Sequence, residues 1–343
     1  MDEPALARGR EPPGSGTTAL PARGPLRWLS WLVGIAVVAA VIGAALHFSE
    51  ERELVRLAED ARPGWLLVAA LLQAGTYLAQ GEIWRLVLRA AHAPLPLATA
   101  FKLSLAKLFV DQAIPSAGLS GTVVVAKDLE RRGVPRGVVM AAVVVSTASY
   151  YGAYVVSLAA AVAITIAEGH ASALVIAASV LFALFGSALA LAVLALSGFK
   201  QGALARVAVR VPRAARALRL LGEAEPRLAR SPGLVSASIV LQLAIVLLDA
   251  GTIWVLVRSL GSAAPASAVF ASFMVSTLLR TVSVIPGGLG TFEAASVVTL
   301  KLAGVSLPVA LSATLLFRGL SFWLPMLPGL FFSRGERGEP PLA

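Results

Sequence analysis

Long uncharged apolar runs alternate with short charged segments along this chain. Two of these runs, Leu29 to Leu46 and Ala171 to Ser197, contain no Asp, Glu, Lys or Arg. Such lengths approach or exceed the roughly 20 residues that a helix needs to cross a hydrocarbon core about 30 Å thick. Composition agrees, since the chain is 57% hydrophobic and 14% charged, whereas soluble domains are about half apolar and a quarter charged. The pattern predicts an all-α, polytopic integral membrane protein.

The apolar runs predict about six full membrane spans and two broken helical segments. The spans cover approximately residues 26–46, 64–88, 138–166, 171–197, 234–257 and 307–332. The broken segments, 94–133 and 265–304, each contain an interruption rich in Pro, Gly and Ser, and we expect each to form a re-entrant hairpin. If every hairpin arm crossed the bilayer instead, the count would be about ten spans with the same loop sides.

Basic residues between the spans predict which loops face the cytoplasm. Residues 1–25 carry five prolines and several arginines without apolar periodicity, so we expect a disordered cytoplasmic tail. The acidic loop 50–60 is expected outside the inner (plasma) membrane, with the basic loop 199–232 and the C-terminal tail 333–343 in the cytoplasm. On this scheme the first hairpin opens inward and the second outward.

The broken segments are predicted to be copies of each other. Ile114-Pro115-Ser116-Ala117-Gly118-Leu119-Ser120-Gly121 recurs as Ile285-Pro286-Gly287-Gly288-Leu289-Gly290, a shift of 285 − 114 = 171 residues. The same shift carries Pro94 onto Pro265 and Gly133 onto Gly304. Together with the opposite loop sides, this predicts an inverted repeat, with one copy at about 64–166 and the other at about 234–332. In transporters, paired broken helices of such repeats meet near the bilayer midplane around a substrate site.

The second break combines a missing backbone donor with flexible glycines. Pro286 has no N–H, and Gly287, Gly288 and Gly290 can adopt positive φ, so a helix cannot continue through them. A new helix is predicted to begin at about Thr291, with its N-terminal amides and positive dipole end directed at the break. This arrangement favours an anion such as a phosphate. The alternative is a purely structural turn.

Four charged residues at predicted membrane depth surround the second break. They are Asp249, Arg280, Glu293 and Arg318. Charges at this depth cost roughly 2.5 to 3.5 kcal/mol each on insertion scales, so they normally face a cavity or one another. In the functional interpretation, the two arginines grip a lipid phosphate while the two acids orient or release it. In the structural one, a Glu293–Arg318 or Asp249–Arg280 ion pair only holds helices together.

The first break is poorer in charge. Lys107 and Asp111 are spaced i, i+4 and are expected to neutralise each other on one helix face. No acid follows the break before Asp128, so the candidate counterpart site consists of Lys107, Asp111, Pro115, Ser116, Gly118, Ser120 and Gly121. The following span carries polar side chains that either line a path or join helices: Ser146, Thr147, Ser149, Tyr150, Tyr151 and Tyr154.

Several functional classes lose support from what the chain lacks. It has no cysteine, and its three histidines are far apart, so we expect no metal site and no cofactor. The net charge of +10 comes from basic residues lying between apolar spans, which indicates topology signals and not nucleic-acid binding. No nucleotide-binding loop or hydrolase motif occurs, so we expect no enzymatic activity.

The residues around the second break resemble those of a known family. Arg280, the Ile285 to Gly290 break, Glu293 and Arg318 are similar to the transmembrane region of the lysylphosphatidylglycerol synthase family, and the resemblance runs from about Trp28 to Phe332. In its two-domain members the resemblance implies a flippase that moves an aminoacylated phospholipid between leaflets, followed by a soluble aminoacyl-transferase domain. This chain ends at Ala343, so we expect no lipid aminoacylation. The first break departs from the family form because it lacks the acid.

The function expected from these features is translocation of a phospholipid or other polar lipid. The resemblance implies an anionic or aminoacylated phospholipid, or a lipid-linked sugar, as the substrate, and a lipid-modifying enzyme is a possible partner. A small-solute or ion-coupled secondary transporter would use the same architecture. A non-transporting accessory subunit, whose charges only join helices, is the second alternative, and an intramembrane transferase using Glu293 or Asp249 is the third.

Overall fold

The computed structural model describes residues 63–113, 119–167, 173–197, 221–283 and 285–333. The predicted tail 1–25, the span 26–46, the first break at 114–118, most of the basic loop and the C-terminal tail lie outside these residues. All regular elements within the described ranges are helical. Proline and glycine set several of the helix limits: α6, α7 and α10 each have a proline in the first two positions, where the missing N–H costs nothing.

Eleven helices are numbered here along the described ranges. They are α1 Pro63–Ala90, α2 Leu97–Ala113, α3 Leu119–Arg131, α4 Arg136–Ala167, α5 Ala173–Leu196, α6 Pro226–Ala229, α7 Pro232–Ser259, α8 Ala266–Val282, α9 Thr291–Leu302, α10 Leu307–Arg318 and α11 Leu324–Ser333. A 3₁₀ turn at Pro286–Gly288 lies between α8 and α9, and a π-helical turn at Gly319–Trp323 joins α10 to α11.

Four helices are long and apolar enough to cross a membrane. They are Gly64–Ala90, Arg136–Ala167, Pro232–Ser259 and the joined helix Leu307–Phe332, and each matches a predicted span. Two shorter apolar stretches, Ser179–Ala195 and Ala266–Thr281, lie within α5 and α8. The chain is therefore a polytopic, all-α membrane protein, as the hydrophobic pattern predicts.

Helix lengths recur in the two halves of the chain. The helices α1 and α7 both have 28 residues, and α2 and α8 both have 17. The start of α4 maps onto the start of α10 with the predicted shift (307 − 136 = 171), whereas α1 maps onto α7 with a shift of 232 − 63 = 169. Pro265 lies directly before α8, and the residue in the same position before α2 is Pro96. The predicted match of Pro94 with Pro265 is therefore wrong. The second break is longer than the first, which changes the shift part-way through the repeat.

The equivalent helices α1 and α7 pack against each other in opposite directions. Leu248 packs against Gly75, and Leu72 packs against Gly251, so residue numbers rise along one helix as they fall along the other. The two glycines leave room for close approach, which matters because van der Waals packing, and not hydrophobic burial, joins helices in lipid. An inverted repeat requires this antiparallel pairing.

Each hairpin also contacts the opposite half of the chain. The arm α2 packs along α11, and α8 packs against α4. The backbone of α11 comes so close to α2 that a Cβ on Gly329 would overlap the Leu105 carbonyl oxygen. The Pro286–Gly288 turn also contacts α2, so the second break lies against the first hairpin.

Two apolar clusters leave a polar region between them. Along α1, Ala69 belongs to one cluster and Trp84 to the other. Along α4, Tyr154 belongs to the same cluster as Ala69, and Val145 belongs to the same cluster as Trp84. The middle of each helix, between these points, carries polar side chains.

Candidate substrate cavity

A cavity of about 220 Å³ occupies the polar region between the two halves of the chain. Side chains from α1, α2, α4, α7, α8, α9, α10 and the π-helical turn line it. Its polar lining consists of Gln73, Thr76, Tyr77, Gln80, Ser104, Gln112, Tyr150, Tyr154, Gln242, Asp249, Thr277, Arg280, Arg318 and Ser321. Tyr150 is the most exposed of the lining residues, at 37%, and marks the side on which the cavity reaches the surface of the bundle.

Equivalent positions of the two repeats line this cavity together. With the shift of 169 the pairs are Gln73 with Gln242, Gln80 with Asp249, and Leu108 with Thr277; with the shift of 171, Tyr150 pairs with Ser321. The cavity is therefore lined by positions that correspond in the two halves of the chain. Transporters built from repeats hold their substrates between the repeats.

Arg280 is the cation in this cavity whose whole guanidinium is free to bind a ligand. It lies in the last turn of α8, and within the described ranges its guanidinium makes no ion pair or hydrogen bond. Gly288, at φ 61°, determines its position, because a Cβ there would overlap the Cβ and Cγ of Arg280. The glycine of the break thus leaves space for the arginine that faces the cavity.

Asp249 lies in the same cavity without a cationic partner. Its Oδ1 accepts a hydrogen bond from Nε2 of Gln73 at 2.8 Å, and the same nitrogen lies 3.1 Å from the Thr252 hydroxyl. Among the described residues, Asp249 forms no ion pair with Arg280, so that alternative prediction is wrong. The amide of Gln73 satisfies one carboxylate oxygen, and within the described ranges the other accepts no hydrogen bond.

Glu293 and Arg318 form a buried ion pair. The Arg318 Nε lies 2.6 Å from Glu293 Oε1, with side-chain exposures of 4% and 3%. The Arg318 Nη2 donates to the Gly287 carbonyl oxygen at 3.1 Å, and its guanidinium lies 4.2 Å from the Phe322 ring centroid. The predicted Glu293–Arg318 ion pair therefore forms. Arg318 reaches the cavity wall, but two of its three nitrogens are already engaged.

The carboxylate of Glu293 also caps the helix that follows the break. Its Oε2 accepts the Gly290 N–H at 2.6 Å, the glutamate half of a capping box. The sequence predicts that a substrate anion occupies this N-terminus. The structure instead has an internal carboxylate on the Gly290 amide, because Glu293 at the third helical position reaches back to it.

A carboxylate also accepts a backbone N–H after the first break, but it belongs to the preceding helix, α2. Asp111 Oδ1 accepts the Gly121 N–H at 2.7 Å, and Asp111 Oδ2 lies 2.8 Å from Lys107 Nζ. The predicted Lys107–Asp111 pair is confirmed, and the acid that the first break lacks after Gly121 comes from α2. Ser120 donates to the Val110 carbonyl oxygen at 3.4 Å. None of these four described counterpart residues lines the cavity, and Pro115, Ser116 and Gly118 lie outside the described residues.

The amide side chains of the cavity are absent from the sequence-based site. Four of the five glutamines in the chain line it: Gln73, Gln80, Gln112 and Gln242. Both Gln73 to Gln80 and Gln242 to Asp249 span seven residues, about two helical turns, which places each pair on one helix face. An uncharged polar residue repeated at this spacing inside an apolar span is a detectable signal.

Comparison with known proteins was consistent with this architecture. The model of the family described as lysylphosphatidylglycerol synthase TM region matches residues 31–329. No curated protein matches the chain. The match includes every residue of the cavity lining, and it agrees with a role connected with membrane lipids.

Proposed function

Because the chain belongs to the lysylphosphatidylglycerol synthase transmembrane-region family, we propose that it is a polar-lipid translocase. In this proposal the lipid headgroup crosses the membrane through the central cavity while the acyl chains remain in the bilayer. The observation that carries the proposal is Arg280, a cation with free donors in a cavity lined by both repeats. A guanidinium is well suited to a phosphate, which it can bind with two parallel hydrogen bonds.

The size and lining of the cavity suit a headgroup. At about 220 Å³ it is smaller than the roughly 300–1,000 Å³ of pockets that enclose drug-sized ligands, so it has no room for acyl chains. Tyr150, an exposed lining residue on α4, provides an apolar ring and a polar tip at the place where a headgroup would enter from the side.

The antiparallel pairing of α1 and α7 supports transport by alternating access. In an inverted repeat, exchanging the conformations of the two halves converts an inward-open state into an outward-open one. The capped breaks support this motion: Asp111 and Glu293 satisfy a backbone amide at each break, so the hairpins can move as rigid units. The chain carries no ATP-binding motif, and we propose downhill or ion-coupled transport without lipid chemistry.

Reconstituted vesicles test the proposal. A lipid with a fluorescent acyl chain is incorporated into both leaflets, and dithionite quenches the outer leaflet, so that translocation is the rate at which inner-leaflet fluorescence is lost. Replacing Arg280 with Gln removes charge-assisted hydrogen bonds of about 1.5–3 kcal/mol, which corresponds to a rate lower by about 10-fold to 150-fold. Arg258→Gln is the matched control, because Arg258 is exposed at the end of α7, outside the cavity, and its guanidinium lies over the Trp254 ring.

Two results would contradict the proposal. One is wild-type protein that moves no lipid faster than protein-free vesicles. The other is Arg280→Gln protein that elutes as a monodisperse peak and translocates lipid at the wild-type rate. A small-solute transporter, the rival that the same cavity permits, would import soluble substrates into vesicles in which no lipid moves.

A further inference from the structure

We propose that the protein moves one proton together with each anionic headgroup, and that Asp249 carries this proton. The further activity is proton–lipid symport. The inference rests on the proposed function, because it names the ion that drives movement through the same cavity.

Asp249 provides a carboxylate inside the cavity. It lies on α7, and no other Asp or Glu belongs to the lining formed by the described residues. The residue is partly exposed, and its second carboxylate oxygen accepts no hydrogen bond within the described ranges. This oxygen is therefore available to take up a proton from water that enters the cavity.

The hydrogen bonds of Asp249 permit both protonation states. Its Oδ1 accepts from Gln73 Nε2 at 2.8 Å, and a carboxyl group protonated on Oδ2 retains that acceptor. The Tyr77 hydroxyl lies 3.4 Å from Gln73 Oε1, which favours the orientation that directs the amide N–H groups at Asp249. Proton uptake thus leaves the contact between α1 and α7 intact.

Few charged groups surround Asp249. The helices packed against α7 are α1, α4, α6, α8 and α10. Their described titratable or charged side chains that share the cavity with Asp249 are Tyr77 from α1, Tyr150 and Tyr154 from α4, Arg280 from α8 and Arg318 from α10, whereas α6 provides none. None of these forms an ion pair with Asp249, and Arg318 is paired with Glu293. Arg280 is therefore the charge that balances Asp249 before a headgroup binds.

The balance of charge in the cavity predicts one proton per headgroup. The charges of Arg280 and Asp249 sum to zero, and so do those of Arg318 and Glu293. A phosphodiester bound by Arg280 adds one negative charge, and an unbalanced charge at membrane depth is unfavourable. A proton on Asp249 restores neutrality. Headgroup and proton therefore each favour the binding of the other, since coupling between two sites is reciprocal.

The two repeats differ at this position. The first-repeat equivalent of Asp249 is Gln80 (249 − 169 = 80), whose carboxamide does not titrate. One repeat thus provides a proton site and the other does not, which supports a single proton per cycle. A metal cation would need several oxygen ligands, and in the described part of the chain no group of three or more Asp, Glu, His or Cys side chains is arranged to hold one.

A pH gradient across reconstituted vesicles tests this inference. Fluorescent phosphatidylglycerol is incorporated into both leaflets, the lumen is made one pH unit more acidic than the medium, and dithionite then measures the outer-leaflet fraction at equilibrium. A lipid and its proton move together as a neutral pair, so the outer-to-inner ratio is expected to approach about tenfold. Protein-free vesicles supply the background, and without a gradient equal amounts are expected in both leaflets.

The variant Asp249→Asn removes the proton site and keeps an acceptor for Gln73. We expect it to equilibrate the lipid between leaflets but to lose the accumulation, whereas Asp249→Glu, which retains a carboxyl group, accumulates lipid. Glu130→Gln is the matched control, because Glu130 is an exposed carboxylate of α3 outside the cavity. The equilibrium distribution does not depend on the amount of folded protein, so partial unfolding of a variant does not change it.

A second measurement uses the wild-type protein alone. Dicyclohexylcarbodiimide modifies protonated carboxyl groups inside membranes, so mass spectrometry is expected to find the modification on Asp249, with slower labelling as the pH rises. No modification of Asp249 at any pH would overturn its role as the proton carrier.

The outcomes separate this inference from the proposed function. If wild-type protein speeds lipid movement but leaves equal amounts in both leaflets despite the gradient, proton coupling is wrong and lipid translocation stands. Accumulation that persists in Asp249→Asn would overturn the assignment to Asp249, and accumulation that follows a sodium gradient instead would overturn the choice of ion. If the wild-type protein moves no lipid with or without a gradient, the proposed function and this inference both fail.

Discussion

Removing both members of the Glu293–Arg318 ion pair is expected to cost less stability than the two single removals added together. The two side chains are 3% and 4% exposed and 2.6 Å apart. Breaking a buried pair from one side typically costs about 3–5 kcal/mol, because the remaining charge stays buried without its partner. In Glu293→Gln, Arg318 retains the Gly287 carbonyl oxygen and the Phe322 ring, so we expect a loss near the lower end, about 3 kcal/mol.

The double variant Glu293→Gln with Arg318→Met removes both charges and keeps similar volumes. We expect it to lose less stability than the sum of the two single variants, with a coupling energy of about 2 kcal/mol or more. The free energy of unfolding is measured by titrating purified protein in mixed micelles with denaturing detergent. Single-variant losses that add within about 0.5 kcal/mol would refute the pairing, since uncoupled sites behave in that way.

Three further predictions follow from the same geometry. Gly288→Ala is expected to displace the Arg280 guanidinium and lower translocation at least threefold, whereas Gly233→Ala, on an open surface, leaves the vesicle rate unchanged. Asp111→Ala is expected to lower the melting temperature more than Asp111→Asn, which retains an acceptor for the amide of α3; equal shifts in thermal unfolding would contradict the cap. In this cysteine-free chain, Gly233→Cys is expected to react with impermeant maleimide only after cells are opened, and Ala263→Cys in intact cells; labelling of both from one side would refute the topology.

Features that depend on hydrophobicity and backbone chemistry could be predicted from the sequence. The four long spans follow from apolar length, since the hydrocarbon thickness fixes how many residues a helix needs. The second break follows from its proline, which lacks an N–H donor, and from its glycines, which adopt positive φ. The Lys107–Asp111 pair follows from its i, i+4 spacing.

Features that depend on contacts between distant helices could not be predicted in the same way. The sequence allows a Glu293–Arg318 or an Asp249–Arg280 ion pair, and the positions of α7, α8, α9 and α10 decide which of them forms. The cap at the first break comes from Asp111, on the preceding arm, because α2 and α3 approach closely at Gly121.

A single shift of 171 residues does not relate the two halves along their whole length. Because the two breaks differ in length, the first helices are related by 169 residues and the later ones by 171. The single shift of 171 therefore did not align Gln73 with Gln242, the pair that indicates the cavity. Allowing an insertion at the break would have revealed that pair from the sequence.

The central claim is that a lipid headgroup occupies the cavity between the two repeats. Photocrosslinking tests it most directly: phosphatidylglycerol with a diazirine on its headgroup is irradiated with the reconstituted protein, and labelled peptides are identified by mass spectrometry. The account predicts labels on the cavity segments of α1, α7 and α8, reduced by Arg280→Gln and by excess unlabelled phosphatidylglycerol. Labels confined to the outer apolar surface of α5, around Leu181 and Phe185, would contradict it.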